Sequence, residues 1–165
     1  MEEIEGYFEE YKKRYNKLKE ISEEVWKYVE DLLKDGKISI LKLANEIENK
    51  IIQLGAKPAF PVNISINNIA AHFTPEFEDF EIDLEKHVVK IDFGIHIDGY
   101  IFDTARTYHT GKYSEILEVT KKAFEESLKE IKAGNKINLP GKVAEEIASQ
   151  FNLKTIKNLG GHGLG

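Results

Sequence analysis

The sequence predicts an α/β (α+β) fold in which helices precede and follow a sheet built around one hairpin. Apolar residues recur every three or four positions in the opening segment, the spacing of an amphipathic helix. Strand-like runs follow at residues 62–66, 88–96 and 100–108. The dipeptide Asp98-Gly99 separates the last two runs and is typical of a two-residue type I′ hairpin turn. A chain of 165 residues is long enough to bury one core.

Composition narrows the class of protein. The chain is 41% apolar and 32% charged, with a net charge of −6, so it lacks the basic surface expected for nucleic acid or an anionic membrane. No apolar run approaches the roughly 20 residues of a membrane helix, and no signal peptide opens the sequence. Cysteine is absent, which excludes disulfides and thiolate metal sites. These features predict a cytoplasmic protein whose metal ligands, if any, are carboxylates and imidazoles.

The first two helices are predicted over residues 4–33 and 40–54. Only Ser22 interrupts the apolar stripe of the first helix, which we expect to pack on the domain rather than project as a coiled-coil arm. Gly36 and Gly55 follow the two helices, as expected of residues that end a helix.

The last part of the chain predicts two more helices and repeats the beginning. Helices are expected over residues 115–132 and 141–151, and residues 154–159 have an extended pattern. Two pairs of segments match about 100 residues apart, 34–40 with 133–139 and 44–47 with 144–147. Local turn chemistry alone could produce part of this similarity, but we favour a true repeat, which predicts a complete first copy and an unfinished second copy.

The hairpin turn sets a register that brings two aspartates together. With a two-residue turn, Asp92 faces Ala105 and Gly94 faces Asp103, so both aspartates lie on one face of the sheet. Diagonal neighbours have Cα atoms about 7–8 Å apart, within reach of a metal pair about 3.5–4 Å across. Gly94 leaves room for such a site. A one-residue bulge would place the two aspartates on opposite faces.

Two interpretations of Asp92 and Asp103 are open from the sequence. They could lie on a solvated sheet face, but aspartate is depleted in strands and both stand among apolar residues. A buried charge needs a partner or a metal, so we favour a metal site.

The histidines divide into groups by their neighbours. His162 lies among glycines, which favours a ligand over a core histidine, whereas for His72 a substrate contact and a structural role are equally consistent with the spacing. His87 and His109 are expected at the surface near strand ends. His96 shares the face of Asp92 and is left without a role.

Three segments resemble methionine aminopeptidases, specifically the type 2 branch of archaea and eukaryotes. They are residues 57–75 (KPAFPVNISINNIAAHFTP), 90–105 (KIDFGIHIDGYIFDTA) and 158–163 (NLGGHG). The resemblance implies the pita-bread fold, with two halves related by pseudo-symmetry. It implies a helical extension at residues 1–14 and a partial catalytic domain at 15–165, divided into a first repeat at 15–112 and an incomplete second repeat at 113–165.

The resemblance also implies a site. Its family holds two divalent metal ions with two aspartates, one histidine and two glutamates, and Asp92, Asp103 and His162 match the first three in order. His72 matches a catalytic histidine that contacts the substrate near the scissile bond. Phe60 matches an aromatic residue that lines the pocket for the methionine side chain. The expected metals are Mn, Co, Fe or Zn.

The implied function is removal of the initiator methionine from nascent proteins by metal-assisted hydrolysis. The family's two glutamates and second histidine would lie beyond Gly165, so this chain alone is expected to be inactive. It would be a shortened form of the enzyme, or one of two chains whose partner supplies the remaining half. Two alternatives remain: a non-catalytic peptide-binding module, and a prolidase-like Xaa-Pro hydrolase, suggested by the Gly163-Leu164-Gly165 ending.

Overall fold

The computed structural model describes residues 2–76, 79–110 and 114–163, which belong to two units, residues 2–110 and 114–163. Helices and strands both form, which confirms the α/β (α+β) class. In chain order the elements are α1 (Glu2–Leu33), β1 (Lys37–Ser39), α2 (Ile40–Gln53), β2 (Lys57–Pro58), β3 (Asn63–Ile66), β4 (Glu81–Asp83), β5 (Val89–Ile97), β6 (Tyr100–Tyr108), α3 (Ser114–Leu128) and α4 (Leu139–Gln150).

Helix α1 packs on the first unit, as predicted, instead of projecting as an arm. Its apolar stripe enters the core, where Leu18, Val25 and Val29 are fully buried. Ser22 is buried within this stripe and its hydroxyl donates to the Lys19 carbonyl oxygen at 2.8 Å, which satisfies its polar group. The helix is continuous from Glu2, so residues 2–14 share it with the packed part.

Strand β5 is the centre of a four-stranded antiparallel sheet. It pairs with β6 along its whole length, while β3 and β2 pair with successive parts of its other edge. The predicted register is confirmed, because Asp92 pairs with Ala105 and Gly94 with Asp103 without an intervening bulge. Asp98 and Gly99 both have positive φ, 52° and 88°, as a type I′ turn requires.

The two faces of this sheet have different chemistry. On one face Val89, Ile91, Phe93 and Ile95 are fully buried, and the Trp26 ring of α1 lies 4.6 Å from the Phe93 ring. Side chains alternate along a strand, so Asp92, Gly94 and His96 lie on the opposite face. We call this opposite face the aspartate face; it carries Asn63, Asp92, Gly94, His96 and Asp103.

Helix α2 begins at a capped N-terminus. Ser39 precedes the helix and accepts a hydrogen bond from the backbone N–H of Lys42. Asp79 accepts a hydrogen bond from the Ser39 hydroxyl at 2.6 Å and another from the backbone N–H of Leu41 at 3.2 Å. These contacts fix the start of α2 next to β1, which pairs with β4 in a separate two-stranded sheet.

The second unit contains α3 and α4. Helix α3 ends at Leu128, four residues before the predicted end, and turns occupy part of the remaining predicted range. Residues 154–159 form no strand and contain a turn at residues 157–158, so the predicted extended segment is not part of a sheet. Within the described ranges no helix is long and apolar enough to cross a membrane.

A glycine with positive φ stands before a helix start in each copy of the sequence repeat, but not at matching positions. Gly36 (φ 73°) precedes α2, whereas Gly134 (φ 89°) precedes α4 and matches Asp35 in the repeat. The caps differ: Ser39 caps α2, whereas Asn138 makes no side-chain capping hydrogen bond within the described residues.

Candidate metal centre

The aspartate face brings two carboxylates close together. Asp92 pairs with Asn63 on β3 and Ala105 on β6, and Asp103 pairs with Gly94, so the aspartates are diagonal neighbours with Cα atoms about 7–8 Å apart. Both residues are half-buried. The Oδ1 atom of Asp92 is buried and has no hydrogen-bond partner among the described residues. A buried carboxylate oxygen of this kind fits a metal ligand better than a structural ion pair.

The charges around Asp92 act in opposite directions. Burial raises the pKa of Asp92 above its ordinary value, and the negative charge of Asp103 raises it further. His72 lowers the same pKa, which places its imidazole within electrostatic reach of the carboxylate. Two carboxylates that are partly shielded from water repel each other, and a bound divalent cation would offset this repulsion.

His72 lies on a loop attached to the edge of the sheet. The backbone N–H of Ile64 on β3 donates to the Phe73 carbonyl oxygen at 2.8 Å, and the Asn63 amide donates to the Thr74 hydroxyl at 2.9 Å. His72 is exposed and has a φ of 62°, a left-handed conformation that is uncommon for a residue with a side chain. The attachment of its neighbours to β3 accounts for this conformation.

Asn63 and Thr74 are functional candidates that the sequence interpretation missed. Asn63 is buried in β3 and donates a second hydrogen bond to the Pro61 carbonyl oxygen at 2.9 Å. The signal that could have identified Asn63 is a polar residue within a strand whose four positions are all buried. A buried amide needs hydrogen-bond partners, so its position is fixed by what it contacts.

The space at Gly94 is occupied by an aromatic ring. A Cβ atom at Gly94 would lie 2.4 Å from Cε1 of Phe60, so the ring lies directly against the glycine backbone. From the sequence, Gly94 is expected to leave room for the metals. In the structure this room accommodates Phe60, which therefore stands on the aspartate face beside the position of Asp103.

His162 lies in the second unit and the two aspartates in the first. It is exposed, its Nδ1 is 3.1 Å from the Gly163 carbonyl oxygen, and it lines a groove of about 750 Å³ together with Lys132, Ile137 and Asn138. Within the described ranges no group of three or more His, Cys, Asp or Glu side chains is placed to hold a metal ion. Within the first unit, the strand register makes Asp92 and Asp103 diagonal neighbours on the aspartate face.

The other histidines differ from expectation in part. His96 lies on the aspartate face, as its register predicted, and its Nδ1 is buried without a hydrogen-bond partner in the described part of the chain. His87 and His109, expected at the surface near strand ends, are half-buried. His87 Nδ1 accepts the backbone N–H of Asp83 at 3.0 Å, and His109 Nδ1 lies 3.2 Å from the His87 carbonyl oxygen.

Solved structures identify the fold. The chain is similar to methionine aminopeptidase from Rickettsia prowazekii, with a TM-score of 0.78 and 24% identity over 88% of this chain and 62% of that one. It is also similar to the prolidase from Pyrococcus horikoshii, with a TM-score of 0.75 and 23% identity over 87% of this chain and 42% of that one. The fold is therefore the pita-bread fold, as predicted.

A sequence profile matches residues 13–165. The chain belongs to metallopeptidase family M24. It is 47% identical to a methionine aminopeptidase of Archaeoglobus fulgidus over 77% of this chain, and 38% identical to one of Methanocaldococcus jannaschii over 97%. The chain spans about half the length of these relatives, 44% and 53% respectively.

Proposed function

We propose that this chain forms the N-terminal portion of a type 2 metalloaminopeptidase that removes the initiator methionine from nascent proteins in the cytoplasm. The observation that carries the proposal is the pair Asp92 and Asp103, with one buried carboxylate oxygen that has no hydrogen-bond partner among the described residues. The similarity to archaeal methionine aminopeptidases supports this choice of reaction. Residues 57–75 support the type 2 branch.

Asp92, Asp103 and His162 are proposed as ligands of two divalent metal ions. When bound, such ions polarise the scissile carbonyl and lower the pKa of a bound water. Two carboxylates and one imidazole favour Mn, Co or Fe, with Zn as a further possibility. The raised pKa of Asp92 fits this role, because a cation would replace the missing positive partner of the pair.

His72 and Phe60 are proposed to contact the substrate. His72 is exposed and within electrostatic reach of Asp92, so its imidazole can exchange a hydrogen bond with the peptide next to the scissile bond. The Phe60 ring, seated on the aspartate face, provides an apolar wall for the methionine side chain. The family's two glutamates and second histidine would come from a further segment or from a second chain.

The alternative functions have weaker support. The likeness to prolidases is below 25% identity and extends to the fold alone. A non-catalytic peptide-binding module would have no need for two half-buried carboxylates on one face, since their mutual repulsion lowers stability.

The metal proposal is tested with Asp92→Asn. In the wild-type chain, Mn²⁺ is expected to raise the urea midpoint, because a ligand that binds only the folded state stabilises it. Asp92→Asn is expected to abolish this rise while raising the midpoint of the metal-free protein, since it removes the repulsion by Asp103. Asp98→Asn is the matched control, because Asp98 lies in the exposed turn and pairs with Arg14. Equal Mn²⁺ effects on wild type and Asp92→Asn would contradict the proposal.

The activity is measured as methionine release from a Met-Ala-Ser peptide. This chain alone is expected to release none, and a mixture with a second chain that carries the remaining ligands is expected to release methionine. Asp92→Asn in the mixture is expected to stop the reaction. A mixture that instead cleaved a Xaa-Pro dipeptide would favour the prolidase-like alternative.

A further inference from the structure

Gly94 is the position on the aspartate face where an added side chain would collide with Phe60. A Cβ atom there would lie 2.4 Å from Cε1 and 2.8 Å from Cδ1 of the ring, and 3.0 Å from the Ala59 Cβ. Real Cβ contacts below 3.0 Å are essentially absent, so the neighbours would have to move. Because Cδ1 and Cε1 belong to one rigid ring, the whole ring would move together.

The backbone on both sides of Phe60 is anchored, so the ring cannot withdraw with its chain. On one side the backbone N–H of Ala59 donates to the Gly94 carbonyl oxygen at 2.8 Å, and Pro58 pairs with Ile95. On the other side the Pro61 carbonyl oxygen accepts the Asn63 amide at 2.9 Å. A Cβ atom at position 94 would therefore turn the ring away from the sheet, into the space above the aspartates.

We propose that Gly94 is a specificity-determining position: because it has no side chain, the Phe60 ring can lie close to the sheet, and this sets the width of the space for the N-terminal side chain of the substrate. This proposal rests on the proposed function. Asp103 faces Gly94 in the register, so the contact between Gly94 and Phe60 lies on the same face as the proposed metal ligands. A side chain at position 94 would narrow the pocket, which excludes a long side chain such as methionine and still admits alanine.

The proposal is tested with two ligands, L-methionine amide and L-alanine amide. Their binding to the full chain in the presence of Mn²⁺ is measured by NMR titration. Gly94→Ala is expected to weaken the affinity for methionine amide about tenfold, the scale of discrimination by a filled apolar pocket. The affinity for alanine amide is expected to stay unchanged. The double variant Gly94→Ala/Phe60→Leu, with a smaller side chain above the new methyl group, is expected to recover most of the methionine amide affinity. Wild-type affinity for methionine amide in Gly94→Ala would overturn the proposal.

The contact itself is measured separately by unfolding. In a double-mutant cycle, Gly94→Ala is expected to destabilise the wild-type chain more than it destabilises Phe60→Leu. Gly141→Ala is the control, because a Cβ there meets nothing within 4 Å in the described part of the chain. If Gly94→Ala fails to fold, the affinities of the double variant for the two amides are compared with those of Phe60→Leu instead.

A failure of the proposal for Gly94 can be distinguished from a failure of the proposed function. An absence of coupling between positions 94 and 60 would overturn the proposed seat of the ring, whatever the ligand results. Coupling without binding of either amide to the wild-type chain would contradict the proposed function, and the selectivity proposal would fail with it.

Discussion

The pKa values of Asp79 and Asp92 are shifted in opposite directions. The first carboxylate stabilises the fold, whereas the second belongs to the proposed metal site. The Ser39 hydroxyl lowers the pKa of Asp79 below its ordinary value, and the backbone N–H of Leu41 lowers it further. Burial raises the pKa of Asp92, and Asp103 adds to this effect. Asp79 therefore favours the folded state when it is charged, whereas a charged Asp92 opposes it until a cation is bound.

The contribution of Asp79 to stability is expected to depend on pH. Because its pKa is lowered in the folded state, the contribution is complete above the unfolded pKa of about 3.9 and is lost as the pH falls through the folded pKa. Asp79→Asn is expected to lower the urea midpoint at pH 7, and its difference from wild type is expected to close at low pH. Circular dichroism at a series of pH values measures this. Asp35→Asn, at an exposed position, is the control. A difference between Asp79→Asn and wild type that does not decrease as the pH falls below the unfolded pKa would contradict the assignment.

At the scale of elements, β5 connects the core to the candidate site. Its buried residues pack against α1, and the residues between them carry the aspartate face. Arg106 on β6 reinforces this packing, since its guanidinium contacts Glu23 and Glu30 at 2.9 Å each and lies 4.8 Å from the Trp26 ring centroid. The position of Asp92 thus depends on the apolar packing behind it.

Phe93→Ala is expected to be strongly destabilising. Phe93 is fully buried and its ring lies 4.6 Å from Trp26, so truncation removes contacts and leaves a cavity, with a cost of about 3–5 kcal/mol. Urea unfolding followed by circular dichroism measures this loss. Phe80→Ala is the matched control, because Phe80 is 42% exposed and should change the stability by less than about 1 kcal/mol. Equal losses in the two variants would contradict the packing described for β5.

At the scale of the whole molecule, apolar exposure is concentrated in the second unit. Ile131 and Phe124 are 68% and 62% exposed, and Ile137 is 98% exposed. The described residues of this unit bury few apolar side chains in return, chiefly Val119, Ile147 and Ala148. Exposed apolar surface promotes association when it is extensive.

Ile137→Lys is expected to reduce association without weakening the fold. Since the side chain is almost fully exposed, the change in unfolding free energy should stay within about 0.5 kcal/mol. Binding of an apolar dye and light scattering of the concentrated protein should both fall. Ile47→Lys, at a fully buried position, is the contrasting variant and is expected to unfold the chain. Unchanged dye binding in Ile137→Lys would contradict an association surface at this position.

The sequence predicted the features that local chemistry determines. Asp98-Gly99 specified the hairpin register because both residues tolerate positive φ, and the register placed the two aspartates on one face. Strands β1, β2 and β4 were missed because two or three residues are too few to show a period.

Contacts between distant segments were beyond the sequence patterns. The ring of Phe60 fills the space at Gly94 because β2 pairs with β5, a pairing that no local pattern indicates. The left-handed conformation of His72 likewise depends on hydrogen bonds from β3 to the following residues. The role of His162 remains a prediction from the family resemblance.

The contact between Trp26 and Phe93 has an optical consequence. Trp26 is the only tryptophan of the chain, and its ring packs against the residue that lies between Asp92 and Gly94 on β5. Indole emission responds to small changes in the surrounding dipoles and ring contacts. The chain therefore carries one native fluorophore, one strand's thickness away from the carboxylates, which reports on events at the aspartate face without any label.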